Sequence, residues 1–191
     1  MSSREKILNA IATNQPELVA LPTIDINAVI RYEDNFKQFK TVLEGIGGKV
    51  ELIQDISIVN NLFNAEKSSG KLMINTLDDT DKQVVMLTSF ELEELEKVCI
   101  KGSLAVAENG AVWVYESQMM NRLLPFICQH LIIVIDKADI VPTMHHAYQK
   151  IDIAKGGFGI FIAGPSKTAD IEQSLVIGAH GARTATIYVL E

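Results

Sequence analysis

The 191-residue chain has only two cysteines, Cys99 and Cys128. Two thiols make no disulfide framework of the kind that staples small secreted domains. Long apolar runs are missing too. The longest, LIIVI (Leu131 to Ile135), falls far short of the roughly 20 residues that span a bilayer. The opening MSSREKILNAIATNQ carries Arg4, Glu5 and Lys6, but no apolar stretch of signal-peptide length follows them. Lysine and arginine occur as scattered singles, and the formal net charge is −7. A nucleic-acid backbone needs a basic face, so that class of partner is argued against. The expectation is a cytoplasmic protein in a reducing setting, with no membrane and no nucleic acid.

Several chemical signatures are also missing. No Gly precedes Lys167 in the Walker spacing, and Gly156, Gly157 and Gly159 come before an apolar run instead of after one, as a turn would place them. There is no G-x-S-x-G elbow. His145 and His146 are neighbours on a helical stretch and point in different directions. Cys128, His130 and His180 show no structural zinc spacing, so no metal and no cofactor are expected.

What is present reads as α/β. Ile7, Leu8 and Ile11 give helical spacing over 3–13, with Ser2 or Ser3 as N-cap. Gln15 to Ile24 is a linker broken by Pro16 and Pro22, so 1–25 reads as an N-terminal helix and linker, and 26–191 as one domain. Val29, Tyr32, Phe36, Phe39, Leu43 and Ile46 predict a helix over 27–46, stopped by Gly47 and Gly48; its aromatics could pack on a second subunit of a homo-oligomer. Strand KVELI, a helix capped by Asp55 or Ser57 and running to about Lys67, and strand KLMIN follow. DDTDK (Asp78 to Lys82) is a solvated loop, VVMLT (Val84 to Thr88) another strand or buried segment, and ELEELEK (Glu91 to Lys97) helix or acidic loop. Asn109-Gly110 between SLAVAE and AVWVY predicts a hairpin with a two-residue type I′ turn. A short helix near 117–123, the strand LIIVI, a helix from Pro142 to about Lys150, the strand FGIFI, a helix from Thr168 and the strand ATIYVL complete the chain. The alternation means a mainly parallel sheet with helices on both faces, plus an antiparallel hairpin.

Two places stand out as sites. Gly164, Pro165, Ser166, Lys167 and Thr168 follow a strand and open a helix whose first turn holds Asp170 and Glu172. Exposed N–H groups at a helix start, with Lys167 beside them, suit a phosphate or carboxylate. Plain capping by Thr168, with the two acids favouring the dipole, explains the same residues. The second place is Glu108, an acid in an apolar hairpin. If buried, its pKa would rise and it could act as nucleophile or base; otherwise it is a wet residue beside a turn. His180, between Gly178 and Gly181, stands about 15–18 Å from Gly164 if a helix of a dozen residues separates them.

SLAVAENGAVWVY, NRLLPFICQHLIIVIDKADIVP and IAGPSKTADIEQSLVIGAHGARTATIYVL together resemble the lactate-utilisation (LUD) domain family, in its protein C branch, over Gly102 to Leu190. The most specific part is G-P-S-[KR]-T-A-D-I-E followed by G-x-H-G. Where many members have Glu-Thr-Gly-Thr in the hairpin, this chain has Glu108-Asn109-Gly110-Ala111. The resemblance implies a fold like that of the NagB/RpiA sugar isomerases and CoA transferases. It also implies an accessory role in oxidising L-lactate, alongside iron–sulfur lactate-utilisation subunits that carry the electrons. The site residues it carries over are Glu108 as catalytic acid or base, then Gly110, Arg122, Gly164, Pro165, Ser166, Lys167, Thr168, Asp170, His180 and Arg183 around a small carboxylate or phosphate. Arg122 or Arg183 could clamp a carboxylate bidentately or simply form a surface ion pair. The superfamily fold and the Gly164 loop also leave open an independent enzyme or binder for a phosphorylated or CoA-linked molecule.

Overall fold

The computed structural model describes every residue except 1, 21, 68–69, 78–83, 169–175 and 179. The DDTDK loop, Asp170 and Glu172 therefore lie outside the described residues.

The elements follow the chain as α1 (Ser3–Thr13), α2 (Asn35–Gly45), β1 (Lys49–Ile53), α3 (Ser57–Lys67), β2 (Leu72–Asn75), β3 (Leu95–Lys101), β4 (Leu104–Val106), β5 (Ala111–Tyr115), α4 (Glu116–Met119), α5 (Leu124–Ile127), β6 (His130–Asp136), β7 (Ile140–Val141), α6 (Met144–Lys150), α7 (Ile153–Gly156), β8 (Gly159–Ile162), β9 (Lys167–Thr168), β10 (Val176–Ile177) and β11 (Thr184–Leu190). Ser2 caps α1 in a reciprocal box with Glu5. None of the residues of α1 is buried.

Five strands form a parallel sheet in the order β1-β11-β6-β3-β2. LIIVI is its middle strand and is buried throughout, as a run covered on both faces must be. One face packs on α3 through Val59 and Phe63, which meet Ile53, Cys99, Val134 and Tyr188. The other face packs on α2 and on a second sheet, joining Phe39, Leu43, Val50, Ile133, Ile187, Ala105 and Val112 in the main core. That second sheet runs β7-β4-β5-β8, and its far side packs against α6 through Val106, Trp113, Val141 and Ala147. The α/β class with helices on both faces of a parallel sheet is what the alternation predicted.

Four expectations need correction. The first concerns α2, which starts at Asn35 because the Asp34 carboxylate accepts the Lys37 N–H and ends the extended stretch before it. The aromatic stripe does not await a second subunit: Phe39 is fully buried in the chain's own core, with Tyr32 and Phe36 packed against it. Next, the hairpin turn has four residues, Ala107 to Gly110, because Val106 pairs with Ala111. Only Gly110 takes positive φ (71°), and the Asn109 Oδ1 accepts the Ala111 N–H. Third, FGIFI leaves the parallel sheet and pairs antiparallel with β5. Last, Thr168 sits in β9, which pairs antiparallel with β10, and the helix expected to follow it falls on residues outside those described.

Candidate functional site

The β9–β10 pairing brings together the loops around Ser166 and Gly181. The Ser166 N–H donates to the Ala182 carbonyl at 2.9 Å, and the Ser166 carbonyl accepts the Gly178 N–H at 3.0 Å. One residue further on, the Arg183 N–H donates to the Gln129 carbonyl at 2.8 Å and ties this loop to the start of β6. Gly181 approaches Ser166 so closely that a Cβ there would stand 3.0 Å from the Ser166 Cβ. His180 thus lies across from Ser166.

A cavity of about 240 Å³ opens between the loops. Gly164, Pro165, Ser166 and His180 line it, with Phe126 of α5 and Ile162 of β8 among its apolar walls. It lies at the carboxyl end of β8 but at the amino ends of β6 and β11. The usual rule for parallel sheets, a ligand at the carboxyl ends, does not govern here, because β8 belongs to the antiparallel sheet. Among the described residues of the lining, Ser166 supplies a hydroxyl and His180 the one titratable side chain. The rest is aliphatic, aromatic or backbone.

The other sequence candidates lie elsewhere. Lys167 turns away from the cavity, and its ammonium donates to the Ile46 carbonyl, the C-cap of α2. It neutralises a helix end and leaves the cavity without a lysine. Glu108 is exposed, and its Oε1 accepts the Met144 N–H at 2.9 Å, capping α6. Gly110 is buried against Leu43 of α2. Neither of these two lines the cavity. Arg122 is held bidentately by Glu116, at 2.7 and 2.8 Å, and lies over the Phe158 ring. This pair holds the Glu116 carboxyl below the usual carboxylate range. The clamp geometry expected for a ligand is thus filled by the chain's own acid. Arg183 is exposed, with its side chain against Gly178, and Thr168 is half-buried in β9.

The two cysteines are core residues. Burial pushes the Cys99 thiol far up and the Cys128 thiol to about 12. Among the described residues no group of three His, Cys, Asp or Glu is placed to hold a metal ion. No helix among them is long and apolar enough to cross a membrane.

Sequence reasoning missed Phe126 and Pro125 as cavity walls. Their signal was an apolar LPFI turn whose Phe126 stays 42% exposed.

A family model described as the LUD domain matches residues 4–190. The chain belongs to the LUD-domain family. Its curated relatives include "Lactate utilization protein C" of Geobacillus kaustophilus, 36% identical over 93 residues that cover 46% of this chain and 39% of the relative. The protein of the same name from Shouchella clausii is 34% identical over 109 residues, covering 54% of this chain and 48% of the relative. The matched stretch is thus less than half of each of these relatives. A solved DUF162 family protein from Deinococcus radiodurans has a TM-score of 0.60 at 15% identity, covering 82% of this chain and 96% of that one. At that identity the likeness speaks for the fold.

Proposed function

We propose that this LUD-domain chain acts in lactate utilisation as an accessory component, and that the cavity between Ser166 and His180 receives a small carboxylate such as lactate or pyruvate. The observation that carries this reading is the meeting of a hydroxyl and an imidazole from two separate loops in a cavity of metabolite size. The Ser166 hydroxyl can donate to one carboxylate oxygen. A protonated His180 can pair with the other, a charge-assisted bond of the stronger kind. The walls of Phe126 and Ile162 suit a short methyl end. The naming of the curated relatives supports the pathway. Two buried thiols are short of the roughly four that hold one iron–sulfur cluster, so electrons travel through iron–sulfur partner subunits.

A phosphorylated or CoA-linked ligand loses its main support here, because the lysine expected to meet the phosphate is spent on α2. Glu108 serves as a helix cap in this reading.

Calorimetric titration of the full chain with L-lactate and with pyruvate tests the cavity. Ser166→Ala and His180→Gln are each expected to weaken binding about tenfold or more, the cost of one charge-assisted hydrogen bond, with unfolding unchanged. Affinity capture from lactate-grown cells is expected to recover an iron–sulfur protein. Absence of binding by the folded chain would overturn the ligand assignment, and capture without an iron–sulfur protein would overturn the accessory role.

A further inference from the structure

Residues 2–20 form an arm in which every residue is exposed. Five of its side chains are large and apolar: Ile7, Leu8 and Ile11 on α1, and Leu18 and Val19 beyond it. Ile7 and Ile11 stand one turn apart with Leu8 beside them, so they share a face of the helix. The helix is also pre-formed, because the Ser2–Glu5 box satisfies N–H groups of its first turn. A helix of 11 residues is marginal in water alone, and in proteins such helices are held by packing an apolar face. The apolar face of α1 is not packed away within its own chain, since none of its residues is buried.

The body of the chain carries a groove of matching character. A concavity of about 360 Å³ lies between α6 and residues 22–26, which lead toward α2. Pro22, Ile24, Ile26 and Tyr148 form its apolar surface, and His145 and Gln149 its polar edge. Tyr148 is 60% exposed and Ile24 is 53% exposed, although the Tyr148 ring also meets Phe161. Contiguous exposed apolar surface of this kind marks a contact site.

Three observations decide what covers it. The first is the hinge. Residues 15–20 carry neither helix nor strand, and Pro16 and Pro22 fix φ and bias the preceding residue to extended backbone. A stiff linker that starts at the groove wall projects α1 outward, and short hinges favour exchange between copies over closure within one. The second is size. The arm, residues 2–20, together with the groove brings each copy into the range of roughly 20–30 residues a side that a stable interface takes. A two-fold axis sets both arms in both grooves at once. The third is charge. A chain of net charge −7 repels its copies, but Arg4 and Lys6 balance Glu5 and Glu17 in the arm, and no Lys, Arg, Asp or Glu is among the described residues lining the groove. The two surfaces that would meet are neutral and apolar.

From this geometry we propose that the chain forms a two-fold dimer by arm exchange, with α1 and its linker from one copy lying in the α6 groove of the other. The apolar face of α1 then meets Tyr148 and Ile24 of the second copy. This interface is separate from the Ser166–His180 cavity and does not depend on the reading given to it.

Sedimentation velocity and light scattering of the full chain test this. The expected mass is twice the 21.0 kDa of one chain. Ile7→Ser combined with Ile11→Ser changes only exposed positions, so the variant should stay folded by circular dichroism while dimerisation weakens at least about a hundredfold, the worth of two lost apolar contacts. Ile24→Ser should do the same from the groove side, and Tyr148→Ser gives an independent groove variant. Mixing the arm variant with a groove variant restores one intact arm in one intact groove, so the mixture should associate more tightly than either variant alone. A full chain that stays monomeric up to about 100 µM overturns the proposal. So does a dimer that the arm variant leaves unchanged, or a mixture no tighter than its components, which would put the contact between the arms themselves.

Discussion

Gly110 came from the sequence as a ligand residue, and the fold gives it a different task that one substitution can test. Its φ is 71°, and a Cβ built on it would stand 3.1 Å from the Leu43 Cα and 3.2 Å from the Leu43 Cβ and N. Leu43 is fully buried in the last turn of α2, so the contact is with helix backbone packed in the core. Gly110→Ala therefore carries two costs. A left-handed backbone costs a non-glycine residue about 1–2 kcal/mol. Forcing a methyl against packed backbone costs about 1–3 kcal/mol. The alanine recovers about 0.4–1 kcal/mol by restricting the unfolded chain. The net is a loss of about 3 kcal/mol. At about 3 °C per kcal/mol for a chain of this size, the melting temperature should fall by about 9 °C.

Urea unfolding and calorimetry measure both quantities, and the slope of the urea transition should not change, since the exposed surface is the same. Gly45→Ala is the control on the same helix. A Cβ at Gly45 meets nothing within 4 Å, so alanine there should stabilise by up to about 1 kcal/mol. Opposite signs at the two glycines are the signature of a steric seat at Gly110. An unchanged melting temperature for Gly110→Ala, combined with lost ligand binding, would refute the reasoning and restore the residue to a binding role.

Three further outcomes are expected. Cys99 and Cys128 should resist a thiol reagent at pH 8 in the native chain and react fully in denaturant, because both are buried and the Cys128 thiol is pushed up to about 12. Lys167→Met removes the cation at the α2 C-cap; because Lys167 is exposed it should cost no more than about 1 kcal/mol, and it should leave carboxylate binding unchanged by calorimetry. Stability should fall in two steps as pH drops. Burial holds the His146 imidazole below its ordinary value of 6.5, so its contribution is present above that value and is lost as pH falls below it. Glu116, held down by Arg122, and Glu96, held down by Lys71, contribute above the ordinary carboxylate value of 4.5 and lose that contribution as pH falls through their lower folded values. Melting curves from pH 8 to 3 should show both steps, and His146→Gln should remove the upper one.

The sequence was most legible where one local rule acted alone. KVELI is β1 residue for residue, and LIIVI sits inside β6 because a parallel strand buried on both faces must be apolar throughout. The Ser2 cap of α1 could be read from a local motif. Legibility failed where a distant partner overrode local preference. TADIEQSLVIGAH has helical composition, and nothing local in it announces that Ser166 bonds to Gly178 and Ala182 or that Thr168 pairs with Val176. Long-range hydrogen bonds of that kind lie outside what per-residue propensities of a few tenths of a kcal/mol can report. The candidate residues of the two loops were legible, but their proximity was not. It depended on the long-range pairing of Lys167–Thr168 with Val176–Ile177, which no local rule announces.

The fate of Lys167 links that error to the chemistry. A glycine-flanked lysine after a strand invites a phosphate, because a free ammonium beside open N–H groups is an anion trap. The trap requires the ammonium to be free. The C-terminus of α2 ends beside the Gly164 loop, with Ile46 packed near Gly164, and its orphan carbonyl competes for the same cation. The intramolecular carbonyl is always present, whereas a ligand must be captured from solution at an entropic cost. Lys167 therefore completes the helix, and the cavity keeps a hydroxyl, an imidazole and apolar walls. Among the described residues a dianionic phosphate finds no fixed cation there, whereas the proposed carboxylate would need a single partner. On the proposed reading of the cavity, selectivity for a small monoanion would follow from how a neighbouring helix is capped.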